Sequence, residues 1–459
     1  MSLSVLILAA GKGTRMNSQL PKVLHTLLQK PMLNYVLDSV GDLRPKNTYI
    51  VVGYKKELIE DAVANSITKP KFIYQKEQRG TGHAVSISKK SMAGFRGNVL
   101  ILNGDCPGIK ASTLKRLIKK HNQTKSTISL ITSVVDNPAG YGRIIRNSDR
   151  KIVGIVEEKD ATAVQKKVNE INSGIYCVNT EFLWNSLGKL KTKNKQKEYY
   201  LPDIIENAVN KGESVSVLKL GSADEILGVN NRQELALQEN KLKNAVIDKL
   251  HNKGVTVVDP GSTFISPDAS IGRDTVINPS TYIYGESKIG AECIIGPNVY
   301  IENSVLKKGV NVRFSSFLNN CFIDENVTVG PFAHLRPEAN IGKNAKIGNF
   351  VEIKKSDIGT GSKVPHLSYI GDASLGKDVN IGAGSITCNY DGVNKHRTTI
   401  GDNVFIGSDS MLVAPVVIGI GSTTAAGSTI TKDVEDYSLA IERSQQKIIK
   451  GWNKRKKKN

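Results

Sequence analysis

Aliphatic residues recur every six positions through most of the second half of the chain. One unbroken series consists of Ile265, Ile271, Ile277, Ile283, Ile289, Ile295 and Ile301. The phase breaks at Lys307 and Lys308, and the period then resumes in two further series: Phe317, Ile323, Val329, Leu335, Ile341, Ile347 and Ile353, and later Ile400, Ile406, Leu412, Ile418, Thr424 and Ile430. A six-residue period fits neither an α-helix nor an alternating strand. It predicts a parallel β-helix of hexapeptide repeats, in which three short strands close each coil and point one aliphatic side chain inward apiece.

The first half of the chain alternates short apolar runs with amphipathic stretches. Strand-like runs cover 5–10, 48–52, 99–102 and 126–134, and a helical pattern covers 112–122. This order predicts an α/β, Rossmann-like domain with a mixed, mostly parallel sheet. A helical spacing of leucines and valine follows, at Leu235, Leu242, Val246 and Leu250. We therefore expect an α/β domain over 1–229, a linker helix over 230–250 and the β-helix domain over 251–459.

The composition limits the class of protein. Hydrophobic residues make up 39% of the 459 residues, which is enough for packed cores, and no apolar run reaches the ~18–20 residues of a membrane-spanning helix. The run 5–10 is too short for a signal peptide, and no basic stretch precedes it. The five cysteines are widely spaced without a CxxC pair. This favours reduced thiols, a cytoplasmic location, and neither disulfides nor a zinc site.

The net charge of +20 first suggests a nucleic-acid partner, but its distribution does not. Residues 1–226 carry a net charge of +15, residues 251–446 carry −3 and the tail 447–459 carries +7. We expect this tail to be disordered, because it has nothing to bury. It could bind nucleic acid only in a salt-sensitive, non-specific way, since Trp452 is its one aromatic residue.

A glycine-rich segment directly follows the first predicted strand and reads Leu8-Ala9-Ala10-Gly11-Lys12-Gly13-Thr14-Arg15-Met16. Glycines let consecutive backbone N–H groups turn toward one anion, and Lys12 and Arg15 add positive charge. The segment lacks the third glycine of a dinucleotide fingerprint and the GK[ST] ending of a Walker A loop. Taken alone, it could equally be a tight turn between a strand and a helix.

Other motifs follow the glycine-rich segment: Pro21-Lys22-Val23-Leu24, Gln75, Gln78-Arg79-Gly80-Thr81-Gly82-His83, Gly104-Asp105, Gly140-Tyr141-Gly142-Arg143, Glu157, Asn172 and Asn230. Their order and spacing resemble the sugar-phosphate nucleotidyltransferases. The best match is a bifunctional family that joins an N-acetylglucosamine-1-phosphate uridylyltransferase to a glucosamine-1-phosphate acetyltransferase. The resemblance covers essentially the whole chain. It implies synthesis of UDP-N-acetylglucosamine for cell-wall precursors, a left-handed β-helix, and a homotrimer formed through that β-helix.

By this resemblance, the first domain transfers a uridylyl group from UTP to N-acetylglucosamine 1-phosphate and releases pyrophosphate. Such a transfer depends on alignment and charge neutralisation rather than on an enzyme nucleophile. Asp105 and Asn230 match the family's Mg²⁺ ligands, and oxygen donors suit that ion; from the sequence alone, Asp105 could instead cap a helix and Asn230 could belong to a plain turn. The positions that match nucleotide and sugar-phosphate contacts are Leu8, Ala9, Gly11, Gly13, Arg15, Lys22, Gln75, Gly80, Thr81, Gly142, Glu157, Asn172 and Asn230.

A polar insertion over 382–399 interrupts the repeat. By the same resemblance, the amine of glucosamine 1-phosphate attacks acetyl-CoA directly once a general base has taken its proton. His366 matches that base, although a lone histidine is more often structural and Pro365 departs from the family pattern. The other matched positions contact the sugar phosphate (Arg336, Lys354, Tyr369, Asn380 and Lys395) or acetyl-CoA (Ala383, Asn389, Tyr390, Ser408, Ala426 and Arg443).

Two other functions are compatible with this architecture. The chain could be a uridylyltransferase whose β-helix serves only regulation or assembly, or it could be a non-catalytic scaffold. His366 together with Asn389 and Tyr390 argues against the first alternative. The presence of the glycine-rich segment, Lys22, Asp105 and Asn230 in one chain argues against the second.

Overall fold

The computed structural model describes residues 2–455, so the last four residues of the basic tail lie outside the described residues. The chain forms two compact units, Met1–Leu242 and Lys243–Asn459. The boundary between them falls inside a helix of 20 residues, Arg232–His251. The described part of the tail contains a short 3-10 turn at Trp452–Arg455. Among residues 2–455, no helix combines the length and the apolar character needed to cross a membrane.

Strands and helices alternate in the first unit. The strands are β1 Leu3–Leu8, β2 Thr26–Leu27, β3 Lys30–Pro31, β4 Asn47–Val52, β5 Lys71–Tyr74, β6 Asn98–Asn103, β7 Ile128–Val134, β8 Arg143–Arg146, β9 Ile152–Val156, β10 Glu170–Asn179 and β11 Val215–Leu220. The helices are α1 Met32–Gly41, α2 Lys56–Ala62, α3 Thr81–Ser86, α4 Ala111–Gln123, α5 Thr180–Leu187, α6 Asp203–Asn210 and α7 Arg232–His251. Single 3-10 turns lie at Thr14–Met16, Lys22–Leu24, Ile87–Lys89 and Gln165–Lys167.

The main sheet has the strand order β11-β7-β10-β6-β1-β4-β5. Strand β1 is parallel to both neighbours, β4 and β6, whereas β10 runs antiparallel between β6 and β7. Strands β8 and β9 form a hairpin that attaches to β10. The predicted mixed sheet is confirmed. Because β1 and β6 are parallel neighbours, the segments after them emerge side by side at one edge, which is where α/β sheets bind ligands.

Both faces of this sheet are covered. Along β1, Val5 and Ile7 belong to one apolar cluster and Leu6 belongs to the cluster on the opposite face; all three are fully buried. A strand buried on both faces has a nearly continuous apolar sequence, which explains why β1, β4 and β6 could be recognised from their composition.

The second unit is a parallel β-helix with three faces. The first face contains the strands Thr256–Val257, Val276–Ile277, Ile294–Ile295, Asn311–Val312, Thr328–Val329, Lys346–Asn349, Lys363–His366, Asn380–Ile381, Phe405–Ile406, Thr423–Thr424 and Leu439–Ala440. The second contains Phe264–Ile265, Tyr282–Tyr284, Tyr300–Glu302, Phe317–Asn319, His334–Leu335, Glu352–Lys354, Tyr369–Gly371, Ile386–Cys388, Met411–Val413 and Thr429–Ile430. The third contains Ser270–Ile271, Lys288–Ile289, Val305–Leu306, Phe322–Ile323, Ala339–Ile341, Ser356–Ile358, Ala373–Leu375, Thr398–Ile400 and Val416–Ile418.

Each strand pairs with the strand one coil further along the chain, so equivalent aliphatic residues stack inside the helix. Ile277 pairs with Ile295, for example, and both are fully buried. Several corners place an Asn or Asp in the left-handed backbone region, as at Asn298 and Asn344, with φ of 56° and 59°. These residue types tolerate that conformation better than most others. The hexapeptide β-helix is therefore built as its sequence period predicts.

Two details of the predicted repeat are wrong. Phe317 is 39% exposed and stacks on Tyr300 with 4.7 Å between ring centroids, while its neighbour Leu318 is fully buried. The reason is two shorter corners: the inward residues step by five positions from Ile301 to Leu306 and again from Leu318 to Ile323. The six-residue phase that contains Ile323 therefore does not extend back to Phe317. The polar insertion is also narrower than 382–399, because Ile386–Cys388 and Thr398–Ile400 are regular strands. The segment that leaves the coil is 389–397.

Candidate active sites

The glycine-rich segment after β1 packs closely against the base of the Lys22 side chain. Gly13 has φ of 66°, and a Cβ atom there would lie 2.5 Å from Lys22 Cβ, so both the backbone conformation and the space require glycine. A Cβ atom on Gly11 would meet nothing within 4 Å. The segment is thus tight where it contacts Lys22 and open at Gly11.

A cavity of about 450 Å³ lies beside this segment. Its lining includes the predicted nucleotide-binding residues Leu8, Ala9, Gly11, Gly13, Arg15, Lys22, Gln75, Gly80 and Thr81, together with Asp105. Lys12, Gln78, Asn103 and Glu198 also line it, although they were not predicted as site residues. The motifs that are dispersed over the first hundred residues therefore meet in one cavity.

The end of this cavity near Gln75 is held by hydrogen bonds. Gln75 is 4% exposed, and its Nε2 donates to His83 Nδ1 at 3.0 Å. Gln78 Nε2 donates to the backbone oxygen of Ala10 at 2.5 Å, tying the 75–83 segment to the glycine-rich segment. Gly80 has φ of 97°, and a Cβ atom there would come within 2.6 Å of the Tyr199 carbonyl oxygen. This end is preorganised before any ligand arrives.

A second cavity of about 190 Å³ adjoins the first. It is lined by the predicted sugar-contacting residues Gly142, Glu157 and Asn172 and by Asn230. Asn172 Nδ2 donates to the Tyr176 hydroxyl oxygen at 2.7 Å, and Asn172 Oδ1 accepts from the Gly174 N–H at 3.1 Å. These two bonds orient the Asn172 amide.

The two cavities share one wall. Leu8, Arg15, Thr81, Asn103 and Asp105 line both of them. A ligand in one cavity can therefore meet a ligand in the other at Asp105 and Arg15. A guanidinium group such as that of Arg15 at this junction is suited to a reaction in which negative charge builds up between two bound molecules.

Two carboxyl groups at or next to the smaller cavity, those of Glu157 and Asp203, have raised pKa values. Burial, followed by the charges of Asp203 and Asp160, raises the pKa of Glu157. Burial, followed by the charges of Glu206 and Asp160, raises the pKa of Asp203 to about 6. Burial is likewise the main reason that the pKa of Tyr141 rises to about 12.

Asp203→Asn should stabilise the protein at neutral pH. Because the pKa of Asp203 is higher in the folded state than its ordinary value of 3.8, its protonated form stabilises the fold below about pH 4, and this contribution is lost as the pH rises through about 6. Asparagine removes that dependence. We expect the free energy of unfolding to rise by about 1 kcal/mol at pH 7.5 and by about a third of that at pH 4.5. Urea unfolding of the variant measures this, with exposed Asp149→Asn as the control; equal effects at both pH values would contradict it.

Asp105 and Asn230 face a common point, which Lys22 occupies. The Lys22 ammonium forms an ion pair with Asp105 Oδ2 and donates to Asn230 Oδ1 at 2.8 Å. Arg15 Nη2 donates to the same Asn230 oxygen at 2.8 Å. A carboxylate and an amide oxygen that converge on a cation form a donor set suited to Mg²⁺. Within residues 2–455, no cluster of three or more His, Cys, Asp or Glu side chains that could hold a metal ion is found.

In the β-helix, His366 ends a strand at one corner and is oriented by the coil below it. Strand pairing sets Asn349 directly beside His366, and Asn349 Oδ1 lies 2.8 Å from His366 Nδ1. An amide oxygen only accepts, so Nδ1 carries the hydrogen and Nε2 keeps its lone pair. Asn349 was not predicted. The signal was its position 17 residues before His366, which is one coil of the helix.

The predicted acetyl-CoA residues continue along the corner above His366. The pairing of Lys363 with Asn380 brings Ala383 to the level of His366. The Ala383 oxygen accepts from Asp409 N at 2.7 Å, and the Ser408 oxygen accepts from Gly427 N at 2.8 Å. These bonds stack successive coils at Ala383, Ser408 and Ala426, whose oxygen accepts from Arg443 Nη1 at 3.0 Å. The corner thus forms a column from His366 to Arg443.

Four of the five predicted sugar-phosphate residues, Arg336, Lys354, Tyr369 and Lys395, form a second group, whereas Asn380 lies on the first face of the β-helix beside Lys363. Arg336 Nη1 pairs with Glu352 Oε1 at 2.7 Å. Lys354 is close enough to Lys395 to lower the pKa of that ammonium, and two neighbouring ammonium groups attract an anion such as a phosphate. Tyr369 lies beside Glu352 in the adjacent coil.

Hydrogen bonds hold the loop 389–397 at both its base and its tip. Asn389 Nδ2 donates to the buried Asp372 carboxylate at 2.5 Å, and Tyr390 forms a β-bridge with Lys395. The Asp391 carboxylate accepts from the N–H groups of Asn394 and Val393 and contacts His396 Nε2 at 2.7 Å. These bonds, led by that from Asn394, lower the pKa of Asp391 to about 2. The contact between His396 and Asp391 therefore joins the second half of the loop to its first half.

These sites and folds define a nucleotidyltransferase joined to a hexapeptide-repeat transferase. The nucleotidyl transferase family matches residues 4–224, the bacterial transferase hexapeptide (six repeats) matches 268–303, and the GMPPB C-terminal domain matches 317–420. The bifunctional protein GlmU of Carboxydothermus hydrogenoformans is 48% identical over 96% of this chain and 98% of its own length. Those of Thermosipho africanus (46%; 99% and 98%) and Geotalea uraniireducens (44%; 99% and 100%) are similar throughout.

The chain belongs to the GlmU family of bifunctional proteins. It is an enzyme with two transferase activities: a glucosamine-1-phosphate acetyltransferase and a UDP-N-acetylglucosamine pyrophosphorylase. The predicted family, fold class and function are thereby confirmed.

Proposed function

We propose that uridylyl transfer takes place at the wall shared by the two cavities of the first unit. The nucleotide occupies the cavity beside the glycine-rich segment, with its uracil near Gln75, Gly80 and Thr81. The sugar phosphate occupies the smaller cavity, where Glu157 and Asn172 contact the sugar. The convergence of Arg15 and Asp105 on both cavities supports this arrangement.

The reaction forms one bond and breaks one. A phosphate oxygen of N-acetylglucosamine 1-phosphate attacks the α-phosphorus of UTP, the bond from that phosphorus to the β-phosphate bridging oxygen breaks, and pyrophosphate leaves. No proton transfer to the enzyme is needed. Arg15 and Lys22 neutralise phosphate charge, and the glycine-rich segment aligns the triphosphate. Mg²⁺ held by Asp105 and Asn230 would supply further charge neutralisation when bound.

We assign acetyl transfer to His366 and the corner column. His366 Nε2 takes a proton from the ammonium group of glucosamine 1-phosphate. The free amine attacks the acetyl carbonyl carbon, a C–N bond forms and the C–S bond breaks. The nitrogen gives up its second proton as the amide forms, the departing sulfur takes up one proton, and CoA leaves as a thiol. The contact between His366 Nδ1 and Asn349 Oδ1 carries this assignment, because it leaves Nε2 as the acceptor. Arg336, Lys354, Tyr369, Asn380 and Lys395 hold the sugar phosphate.

Acetyl-CoA is assigned to the column and the loop beside it. Its contacts are Ala383, Asn389, Tyr390, Ser408, Ala426 and Arg443, with Arg443 meeting a CoA phosphate.

We further propose a homotrimer formed through the β-helix. Aromatic side chains exposed on its corners, Phe314, Phe332 and Phe350, support an oligomer, because apolar patches of this kind commonly mark protein interfaces. Five free cysteines support a reducing, cytoplasmic location.

Product analysis tests both assignments together. With glucosamine 1-phosphate, acetyl-CoA, UTP and Mg²⁺ present, we expect UDP-N-acetylglucosamine, and omission of any one should abolish it. Release of free thiol without UTP isolates the acetyl step, and release of pyrophosphate from UTP and N-acetylglucosamine 1-phosphate isolates the uridylyl step. If no thiol is released, the β-helix serves only regulation or assembly.

A further inference from the structure

Lys22 sits between the two oxygen donors that would hold the divalent cation. Its ammonium group contacts Asp105 Oδ2 and Asn230 Oδ1, and only 14% of its side chain is exposed. The Lys22 backbone is fixed, because it packs against Gly13 and belongs to the turn Lys22–Leu24. The four-carbon stem is what can move.

Asn230 is held so that its oxygen, and not its nitrogen, faces this point. Glu234 Oε2 accepts from the Asn230 backbone N–H at 2.7 Å and from Asn230 Nδ2 at 3.2 Å. Glu234 Oε1 accepts from Asn231 Nδ2 at 2.6 Å. With its donors used by Glu234, Asn230 presents Oδ1 to Lys22. Asp105 and Asn230 therefore form a cation position, and the Lys22 ammonium group of the same chain occupies it.

We propose that Lys22 occupies the divalent-cation position while the nucleotide site is empty, and that it leaves this position for a phosphate oxygen when nucleotide and metal bind. This inference rests on the proposed uridylyltransferase site. An ammonium and a divalent ion cannot share the same two oxygens, because their charges repel at such a distance. An incoming triphosphate removes this competition by attracting Lys22. Metal and nucleotide binding are then positively coupled through one lysine.

If the Lys22 ammonium group competes with the metal for this position, its removal should strengthen the binding of a divalent metal ion in the absence of nucleotide. Mn²⁺ is the probe, titrated without nucleotide onto the full chain and followed by the electron paramagnetic resonance signal of the free ion. We expect Lys22→Met to bind Mn²⁺ about tenfold more tightly than the unaltered protein, within the range typical of coupled sites. Lys22→Gln, measured in the same way, provides a second variant if the methionine variant folds poorly.

Two controls locate the effect. Lys12→Met removes the same charge from the same cavity, but the Lys12 ammonium lies over the Tyr54 ring, 5.6 Å from its centroid; its Mn²⁺ affinity should stay within about threefold of the original. Adding Asp105→Ala to Lys22→Met should abolish the gain. A non-hydrolysable UTP analogue should tighten Mn²⁺ binding by the unaltered protein more than by Lys22→Met.

Several outcomes would overturn the exchange. These are Mn²⁺ binding by the Lys22 variants that is equal to or weaker than that of the unaltered protein, a gain of the same size in Lys12→Met, or a gain that persists without Asp105. The proposed function fails separately, if the unaltered chain releases no pyrophosphate from UTP and N-acetylglucosamine 1-phosphate. The Mn²⁺ titration contains no nucleotide, so either result can occur without the other.

Discussion

Replacing His366 with alanine is expected to lower the rate of acetyl transfer by about 10²–10⁴-fold, the range for loss of a general base. The amine of glucosamine 1-phosphate is protonated near neutral pH, and His366 Nε2 is the acceptor that the Asn349 contact leaves available. Thiol release from acetyl-CoA measures this rate. Uridylyl transfer should be unchanged, because it uses residues of the other unit.

The matched control for this variant is His251→Ala. His251 is an exposed histidine at the end of α7, in the same compact unit as His366. Both activities should survive its loss. If His366→Ala lowered uridylyl transfer as much as acetyl transfer, misfolding would explain the result better than loss of a base. If it retained normal acetyl transfer, His366 would be a structural residue.

Asp105→Ala should lower uridylyl transfer by about 10²–10³-fold, the range for loss of one preorganised electrostatic contribution, because it removes a carboxylate that would hold the charge-neutralising Mg²⁺. The variant loses the carboxylate at the wall common to both cavities and leaves the Lys22 ammonium without its ion-pair partner. Release of pyrophosphate from UTP in the presence of Mg²⁺ and N-acetylglucosamine 1-phosphate measures the effect.

Acetyl transfer by the Asp105 variant serves as its internal control and should remain normal. Asp149→Ala, which removes an exposed carboxylate from the turn after β8, should leave both activities intact. Near-normal uridylyl transfer by Asp105→Ala would contradict the metal-ligand assignment and favour a purely local role for Asp105 after β6. Together with the His366 variant, these measurements separate the two activities within one chain.

Regular elements with a strong local signal were predictable. The six-residue period of isoleucines specified the β-helix, and the apolar runs of β1, β4 and β6 specified buried strands of the sheet. The error at Phe317 has a local cause that periodicity cannot detect, since the corner between Leu318 and Ile323 is shorter by a residue and both Phe317 and Leu318 are apolar. The insertion was placed too widely because its flanking strands, Ile386–Cys388 and Thr398–Ile400, contain polar residues.

Candidate site residues could be recognised where a motif carried them and not where only a contact did. Gly13, Lys22 and Asp105 stand in recognisable segments, and all of them line the larger cavity. Asn349, Asp372 and Glu234 stand in no motif. Each acts on a functional residue through a hydrogen bond, to His366, Asn389 and Asn230 respectively. Such supporting contacts depend on which coils or turns meet, and composition does not record this.

The sequence by itself determined the class of each half, because periodicity and strand composition express burial along consecutive residues. Its motifs also indicated candidate residues for both sites. Only the tertiary structure decided what those residues do to one another. It brought Lys22 and Asn230, 208 positions apart, within hydrogen-bonding distance, and it set Asn349 beside His366 through the register of adjacent coils. Distances of a few ångströms govern charge and proton transfer, and they arise from packing between segments rather than from order along the chain.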